Sequence, residues 1–323
     1  MMPGTSKKPR PIALVAMGGH AFIAKGEAGT IHDHERNAAK ICQYLMTLVE
    51  REYNLIITHG NGPQVGNLLL KNELAKDEVL PMPLDILVAN TEGSLGYILQ
   101  QAMLNELRKR NIRRYVVTVV SQVIVDQNDP AFVKPTKPIG PFLSQEEAEK
   151  RRDTLDWNIV EDAGRGWRRV VPSPHPQKIV QRHTIRDVAQ QGHIVIACGG
   201  GGIPIIQKED GSYEGVEAVI DKDLTSSILA YQAGAELIII LTSVPKVYLN
   251  FNTPEQRALS ALTIGETVQY INEGHFAPGS MGPKVEAILD FLKAGGKRGL
   301  ITSPALLSQA MDGLDGTHFI GRV

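Results

Sequence analysis

Three lysines stand in surroundings that would fix an ammonium group in place. Lys137 lies in Lys134-Pro-Thr-Lys137-Pro-Ile-Gly-Pro-Phe, where prolines on both sides stiffen the backbone. Lys222 lies in Asp221-Lys222-Asp223, and Lys284 in Gly279-Ser-Met-Gly-Pro-Lys284, each at the start of a helical pattern. The helix dipole opposes a cation in the first turn, so two such placements ask for a compensating anion such as a nucleotide phosphate. Phosphoryl transfer is the chemistry such a set serves. It needs little covalent help from the protein, and it needs fixed positive charge around the moving group. Taken singly, each lysine reads more readily as a solvated surface side chain, the usual fate of lysine. Asp221 and Asp223 read as N-cap and first-turn residues, or as acids that orient the lysines or meet Mg²⁺ through water. Capping and function are compatible.

Glycine loops follow three apolar runs. They are Gly18-Gly19-His20, Gly60-Asn61-Gly62-Pro63 and Gly199-Gly200-Gly201-Gly202. Beyond the carboxyl ends of parallel strands, glycine lets the backbone approach a ligand, and its N–H groups can cradle an anion at a helix N-terminus. Pro63 suits a first helical turn, so the second loop opens onto a helix over 64–71. The alternative is that these glycines only make tight turns. No GxxxxGK[ST] phosphate loop is present, and 60–66 reads GxGxxxG, one residue longer than the dinucleotide fingerprint. A dehydrogenase is therefore a rival reading, but it leaves the lysines unexplained. The histidines show no zinc-ligand spacing, and His59 reads as a brace for its loop rather than a base.

The elements that must position these groups alternate in type. Short apolar runs at 12–17, 55–58, 115–120, 194–198, 237–241 and 299–301 are mostly Val- and Ile-rich and lack polar alternation, as buried parallel strands do. Helical spacing separates them at 33–52, 93–108, 178–191, 222–233 and 283–294. Alternation over the whole length predicts a parallel sheet with helices on both sides. Residues 126–174 break the rhythm with many charges, several prolines and both tryptophans, Trp157 and Trp167. They read as an inserted subdomain standing off the sheet.

Composition narrows the partners. With 34 basic against 35 acidic residues, no nucleic-acid stripe or polybasic membrane patch is indicated. The apolar run at 12–17 is too short to span a membrane and has no leader-peptide pattern. Residues 1–10 read as a loose tail. Cys42 and Cys198 lie in apolar runs outside any CxxC pair, so they read as buried free thiols in a reducing cytosol.

Six stretches carry a resemblance: Thr58-His-Gly-Asn-Gly-Pro-Gln-Val-Gly66, Pro135-Thr-Lys-Pro-Ile-Gly-Pro-Phe142, Glu161-Asp-Ala-Gly-Arg-Gly-Trp-Arg-Arg-Val-Val-Pro-Ser-Pro174, Gly199-Gly-Gly-Gly-Ile-Pro204, Gly215-Val-Glu-Ala-Val-Ile-Asp-Lys-Asp-Leu224 and Gly274-His-Phe-Ala-Pro-Gly-Ser-Met-Gly-Pro-Lys-Val-Glu-Ala287. In this order, over nearly the whole chain, they resemble the carbamate kinase family of the amino acid kinase superfamily. The resemblance implies an α/β fold, a three-layer αβα sandwich with a mainly parallel open sheet of about eight strands and a protruding subdomain near 126–174. It implies an N-terminal lobe over 11–192 with the carbamate and carbamoyl phosphate site, and a C-terminal lobe over 193–323 with the nucleotide site. It further implies a cytoplasmic homodimer that converts carbamoyl phosphate and ADP reversibly to carbamate and ATP, with Mg²⁺, as in arginine breakdown.

By motif position, Gly18, Gly19, Gly60, Asn61 and Gly62 would hold the carbamate and the transferring phosphoryl group. Lys137 would reach in from the subdomain. Lys222 and Lys284 would neutralise phosphates, and Asp223 would organise the lysines. The nucleotide site would draw on Gly199, Gly200, Asp221, Lys222, Thr242, Val244, Tyr248, Met281 and Lys284. Three positions depart from the family pattern: His20 where asparagine is usual, Glu92 where glutamine is common, and Ser243 where much of the superfamily has aspartate. Neutral histidine also donates one hydrogen bond, so His20 is expected to keep a phosphate contact and make activity pH-sensitive near neutrality. An altered pocket serving another small carboxylate or carbamate is one alternative, and a nucleotide- or carbamoyl-phosphate-binding regulator with little turnover is another.

Overall fold

The structure is a computed structural model that describes residues 10–18, 21–24, 26–162, 166–277 and 279–321. In chain order the strands are β1 (Ile12–Met17), β2 (Asn54–His59), β3 (Val116–Val119), β4 (Gln122–Val125), β5 (Lys137–Leu143), β6 (Ile159–Glu161), β7 (Trp167–Val171), β8 (Pro176–Ile179), β9 (Ile194–Ala197), β10 (Ile203–Gln207), β11 (Tyr213–Gly215), β12 (Leu237–Leu241), β13 (Val247–Leu249), β14 (Arg257–Leu259), β15 (Ala261–Thr263), β16 (Arg298–Thr302) and β17 (Thr317–Ile320). The helices are α1 (Ile31–Glu50), α2 (Gly62–Leu74), α3 (Leu84–Lys109), α4 (Gln145–Leu155), α5 (Arg182–Gln190), α6 (Lys222–Gln232), α7 (Ile264–Asn272), α8 (Met281–Lys293) and α9 (Leu307–Met311).

Eight strands form the main sheet in the order β15-β17-β16-β12-β1-β2-β9-β3. Each neighbouring pair is parallel except β16 with β17. Successive side chains of a strand leave opposite faces, and the sheet buries both. Ala13, Val15 and Met17 of β1 pack with Leu45 and Leu48 of α1 and Leu99 and Met103 of α3. Leu14 and Ala16 pack on the other face with Leu229 of α6 and Val285, Ile288 and Phe291 of α8. The result is the expected αβα sandwich with a mainly parallel sheet. Each fully buried leucine, isoleucine or phenylalanine in these layers contributes about 1.5–3 kcal/mol. No helix among the described residues is long and apolar enough to cross a membrane. Cys42 and Cys198 are buried and free.

Helix starts follow local chemistry. Thr30 and Asp33 close a capping box on α1, Ser144 and Glu147 one on α4, and Thr263 and Glu266 one on α7. The helix expected over 93–108 begins earlier, at Leu84, because Pro83 with its extended backbone supplies the start. Periodicity alone missed those first two and a half turns, about nine residues at 3.6 per turn.

The segment expected to stand off the sheet folds on itself. β5, β7 and β6 make a three-stranded antiparallel sheet, and α4 packs on it around Trp157, Ala148 and Leu143. A four-stranded sheet, β11-β10-β4-β8, lies beside it in the chain, and β13 pairs with β14. Neither was legible from the hydrophobic runs, because these strands are short and several are exposed.

The subdomain is seated on α2. A Cβ built on Gly66 of α2 would stand 2.1 Å from the Cα of Gly140 in β5, so helix and strand touch backbone to backbone. Val65, Ile139 and Val171 close an apolar cluster around that contact. At the far end of α2, the Glu73 carboxylate accepts from Trp157 Nε1 at 3.0 Å and pairs with the Arg169 guanidinium. Gly66→Ala should therefore push the subdomain off α2. Overpacking against rigid backbone costs about 1–3 kcal/mol, visible as a lower urea midpoint. An unchanged midpoint would mean that the contact yields freely.

Candidate active site

The site lies beyond the carboxyl ends of β1, β2, β9 and β12, where an open parallel sheet leaves a crevice. The three lysines singled out in the sequence meet there, although they come from three elements. Asp221 is the N-cap of α6, and its Oδ1 accepts from the Asp223 N–H at 2.8 Å. Its Oδ2 accepts from Lys137 Nζ at 2.5 Å, reaching in from β5. Asp223 divides its oxygens between Lys222, 2.5 Å from Oδ1, and Lys284 of α8, 3.0 Å from Oδ2. The solvated-surface reading of these lysines does not hold: the side chains of Lys222 and Lys284 are 11% and 17% exposed, and that of Lys137 28%. Three ammonium groups against two carboxylates leave one positive charge in excess, which suits an anion.

The electrostatics of the pair of acids follow from that arrangement. Burial works against ionisation of Asp223, yet Lys222 and Lys284 together hold it below the ordinary carboxylate range. Asp221 is held low in the same way, burial being outweighed by Lys137 and then Lys222. Lys222 is lowered, first by its burial, with Asp223 acting in the opposite sense.

The first turn of α6 is tied to β2. Ser226 Oγ donates to the Lys222 carbonyl at 2.5 Å, so its 2.6 Å contact with Thr58 Oγ1 has threonine as donor. Sequence reading passed over both hydroxyls, since a lone Ser and a lone Thr carry no pattern.

The glycines divide into two kinds. Among the described residues, a Cβ on Gly18 would meet nothing within 4 Å, and one on Gly62 would meet only the Arg168 guanidinium at 4.0 Å. These two border open space. Gly60 follows β2 directly, its N–H donating to the Met17 carbonyl at 3.0 Å. Gly19 and His20 lie outside the described residues. Gly199 and Gly200 are buried instead, and they are packing glycines: a Cβ would stand 2.4 Å from His59 Nε2 in the first case and 2.1 Å from Asn61 Nδ2 in the second. The N–H of Gly199 goes to Glu92 Oε1 at 3.0 Å, that of Gly201 to the Cys198 carbonyl and that of Gly202 to the Gly199 carbonyl. This turn is a wall that fixes the 59–61 loop, and those three donors are already engaged within the protein.

Asn61 is also braced from behind. Its amide donates to Thr91 Oγ1 at 2.8 Å, and Thr91 donates on to the Val88 carbonyl. His59 sits edge-on to Phe22 with ring centres 5.4 Å apart, and burial lowers its pKa to about 4. A neutral, enclosed imidazole agrees with the brace role. Thr242 follows β12 and donates its N–H to the Thr302 carbonyl at 3.0 Å. Val244, Tyr248 and Met281 are half-buried around the same end of the sheet and the start of α8, with the Tyr248 ring 5.7 Å from that of Phe251.

Glu92, noted as a departure from pattern, is the central tie of the glycine wall. It is fully buried on α3 and accepts from the N–H of Gly199 through Oε1 and of Ser121 through Oε2, both at 3.0 Å. Burial pushes its carboxyl up to about 8, and the hydrogen bonds restrain the rise.

Two outcomes test this geometry. Asp223→Asn leaves Lys222 and Lys284 facing each other without a counter-charge, and breaking a buried pair in this way costs about 3–5 kcal/mol in urea unfolding. A loss under about 1 kcal/mol would mean the lysines simply turn to solvent. For Glu92, the unfolded chain ionises near 4.5 and the folded one near 8. Its contribution to stability is therefore present at low pH and lost as pH rises between those values. The midpoint of thermal unfolding should fall from pH 5 to pH 8 more steeply in the wild type than in Glu92→Gln; parallel curves would refute the raised pKa.

Comparison with known proteins agrees with this assembly. The amino acid kinase family model matches residues 11–303. The chain is 44% identical over 310 residues to the carbamate kinase of Thermococcus kodakarensis, covering 95% of this chain and 98% of that one. It is 47% identical over 297 residues to carbamate kinase 2 of Enterococcus faecalis, covering 90% and 93%. The solved structure of the Giardia lamblia carbamate kinase bound to AMP-PNP superposes with a TM-score of 0.88 at 38% identity, over 97% of this chain and 99% of that one. The chain belongs to the carbamate kinase family, within the amino acid kinase family.

Proposed function

We propose that the protein transfers a phosphoryl group reversibly between carbamoyl phosphate and ADP, giving carbamate and ATP. The observation that carries this reading is the convergence of Lys137, Lys222 and Lys284 on Asp221 and Asp223 at the N-terminus of α6. In the ATP-forming direction an oxygen of the ADP β-phosphate bonds to phosphorus while the bond from phosphorus to the carbamoyl oxygen breaks, and carbamate leaves with that electron pair. Attacking and leaving groups are both anions, so no proton has to move. What the protein must supply is position and positive charge, and the site offers lysines and helix N-termini.

The roles divide by lobe. Gly18 and Gly62, with Asn61 fixed by Thr91, present backbone N–H groups toward the carbamoyl phosphate; Gly60 gives it room to approach, and the N-terminus of α2 adds its dipole. Lys137 meets the transferring group from the subdomain side. Lys222 and Lys284 meet the nucleotide phosphates and the moving group, oriented by Asp223. Thr242, Val244, Tyr248 and Met281 border the nucleotide, with Gly199 and Gly200 behind it. Magnesium enters as part of the substrate MgADP. A cytoplasmic homodimer working in arginine breakdown belongs to the same proposal. The exposed apolar side chains Leu74, Val79, Leu80 and Met82 offer a surface that pairing would cover.

The test is ATP formation from carbamoyl phosphate and MgADP by the purified protein, with Lys137→Ala as the variant. Loss of one charge contact in the transition state should reduce turnover by about 10²–10³-fold. A wild type that binds MgADP and yields no ATP would contradict the substrate assignment, and a Lys137→Ala effect below about threefold would make that lysine structural only.

A further inference from the structure

Asp221 does two jobs with two oxygens. Oδ1 caps α6 by accepting from the Asp223 N–H at 2.8 Å, and Oδ2 accepts from Lys137 Nζ at 2.5 Å. The partners lie 84 residues apart, one at a helix start in the second half of the chain and the other on β5 of the subdomain. The remaining acid of the cluster, Asp223, is already shared by Lys222 and Lys284. Without Asp221, the Lys137 ammonium would face the positive end of α6 and the neighbouring Lys222, an arrangement that both the dipole and like charge disfavour.

We propose that Asp221 is a positioning residue that holds Lys137 over the start of α6 before substrate arrives and releases it to the anionic substrate when the site fills. The proposal rests on the carbamoyl phosphate reading above. Lys137 then exchanges one anionic partner for another and need not be drawn out of water, so little reorganisation remains for the moment of reaction. The capping oxygen is not the one that holds Lys137. The first turn of α6, with Lys222 and Asp223, therefore keeps its geometry during the exchange. The subdomain is tied to α2 through Gly66 and Gly140 and through Glu73 with Trp157 and Arg169, and to residue 219 by a hydrogen bond from the Val219 N–H to the Pro172 carbonyl. Lys137 with Asp221 is a charged tie between this subdomain and α6, the helix that carries Lys222.

The experiment is a double-mutant cycle of Asp221→Asn with Lys137→Met, read as kcat and as KM for each substrate, together with backbone hydrogen exchange of residues 137–143 in the ligand-free proteins. Asparagine keeps a capping oxygen and removes the charge. Asp221→Asn should lower kcat by roughly ten- to a hundred-fold, as misplacement of a positioned group does, with KM for ADP changed less than about threefold. The double variant should be scarcely worse than Lys137→Met alone, because residues that act together are non-additive. Exchange at 137–143 should rise in Asp221→Asn without any ligand. Multiplicative effects, unchanged exchange, or a rise in kcat/KM for carbamoyl phosphate would each overturn the proposal, the last by showing that Asp221 sequesters Lys137. If the wild type fails to make ATP, the substrate reading falls on its own, and the exchange measurement still decides whether Asp221 holds Lys137.

Discussion

The constraint on which this structure turns is a buried carboxylate shared by two half-buried ammonium groups. Asp223 is 3% exposed and touches both Lys222 and Lys284. Such a cluster is expensive to assemble, since each charge loses water, and its members persist only with good geometry. Much of the surrounding fold supplies that geometry. The cap by Asp221 fixes the turn, Ser226 and Thr58 tie the turn to the central sheet, and α8 packs along α6 to bring Lys284 across. A parallel sheet with its crevice beyond the strand ends gives these helix starts a common place to point.

The second constraint is distance across the cleft. Lys137 rides on a subdomain that has its own small core, so its position depends on how that subdomain is seated. The backbone contact between Gly66 and Gly140 leaves no room for slippage, and the Glu73 carboxylate fastens the outer end. α2 thus links two parts of the site: its first residue is Gly62 of the loop after β2, and its body supports the strand that begins with Lys137. Rigid support of this sort is what fixed electrostatic groups require.

Much of this was legible in the residues. Apolar runs without alternation marked the central strands, and lysines beside helix starts marked a place wanting negative charge. The glycine loops were visible too, but not their division of labour. Gly18 and Gly62 border open space, whereas Gly199 and Gly200 are glycines because His59 and Asn61 press against them. That distinction depends on which loops come together in space. Glu92 shows the same limit. A single acid within a helix looks like a surface residue until α3 is found to bury it against two backbone N–H groups from distant loops. The short strands β11 and β14 carry too few buried residues to announce themselves, and β13, though mostly buried, is only three residues long.

The central claim is that phosphoryl transfer takes place among these three lysines. The most direct measurement is a crystal structure with MgADP, carbamate and an aluminium fluoride mimic of the planar phosphoryl group. The account predicts the mimic between Gly62 and the start of α6, with Lys137, Lys222 and Lys284 nitrogens within about 3 Å of its fluorines or of the adjoining phosphate oxygens, and with Lys137 drawn from Asp221. A mimic bound away from these lysines, or lysines still paired with Asp221 and Asp223 while the mimic is held by other groups, would contradict it.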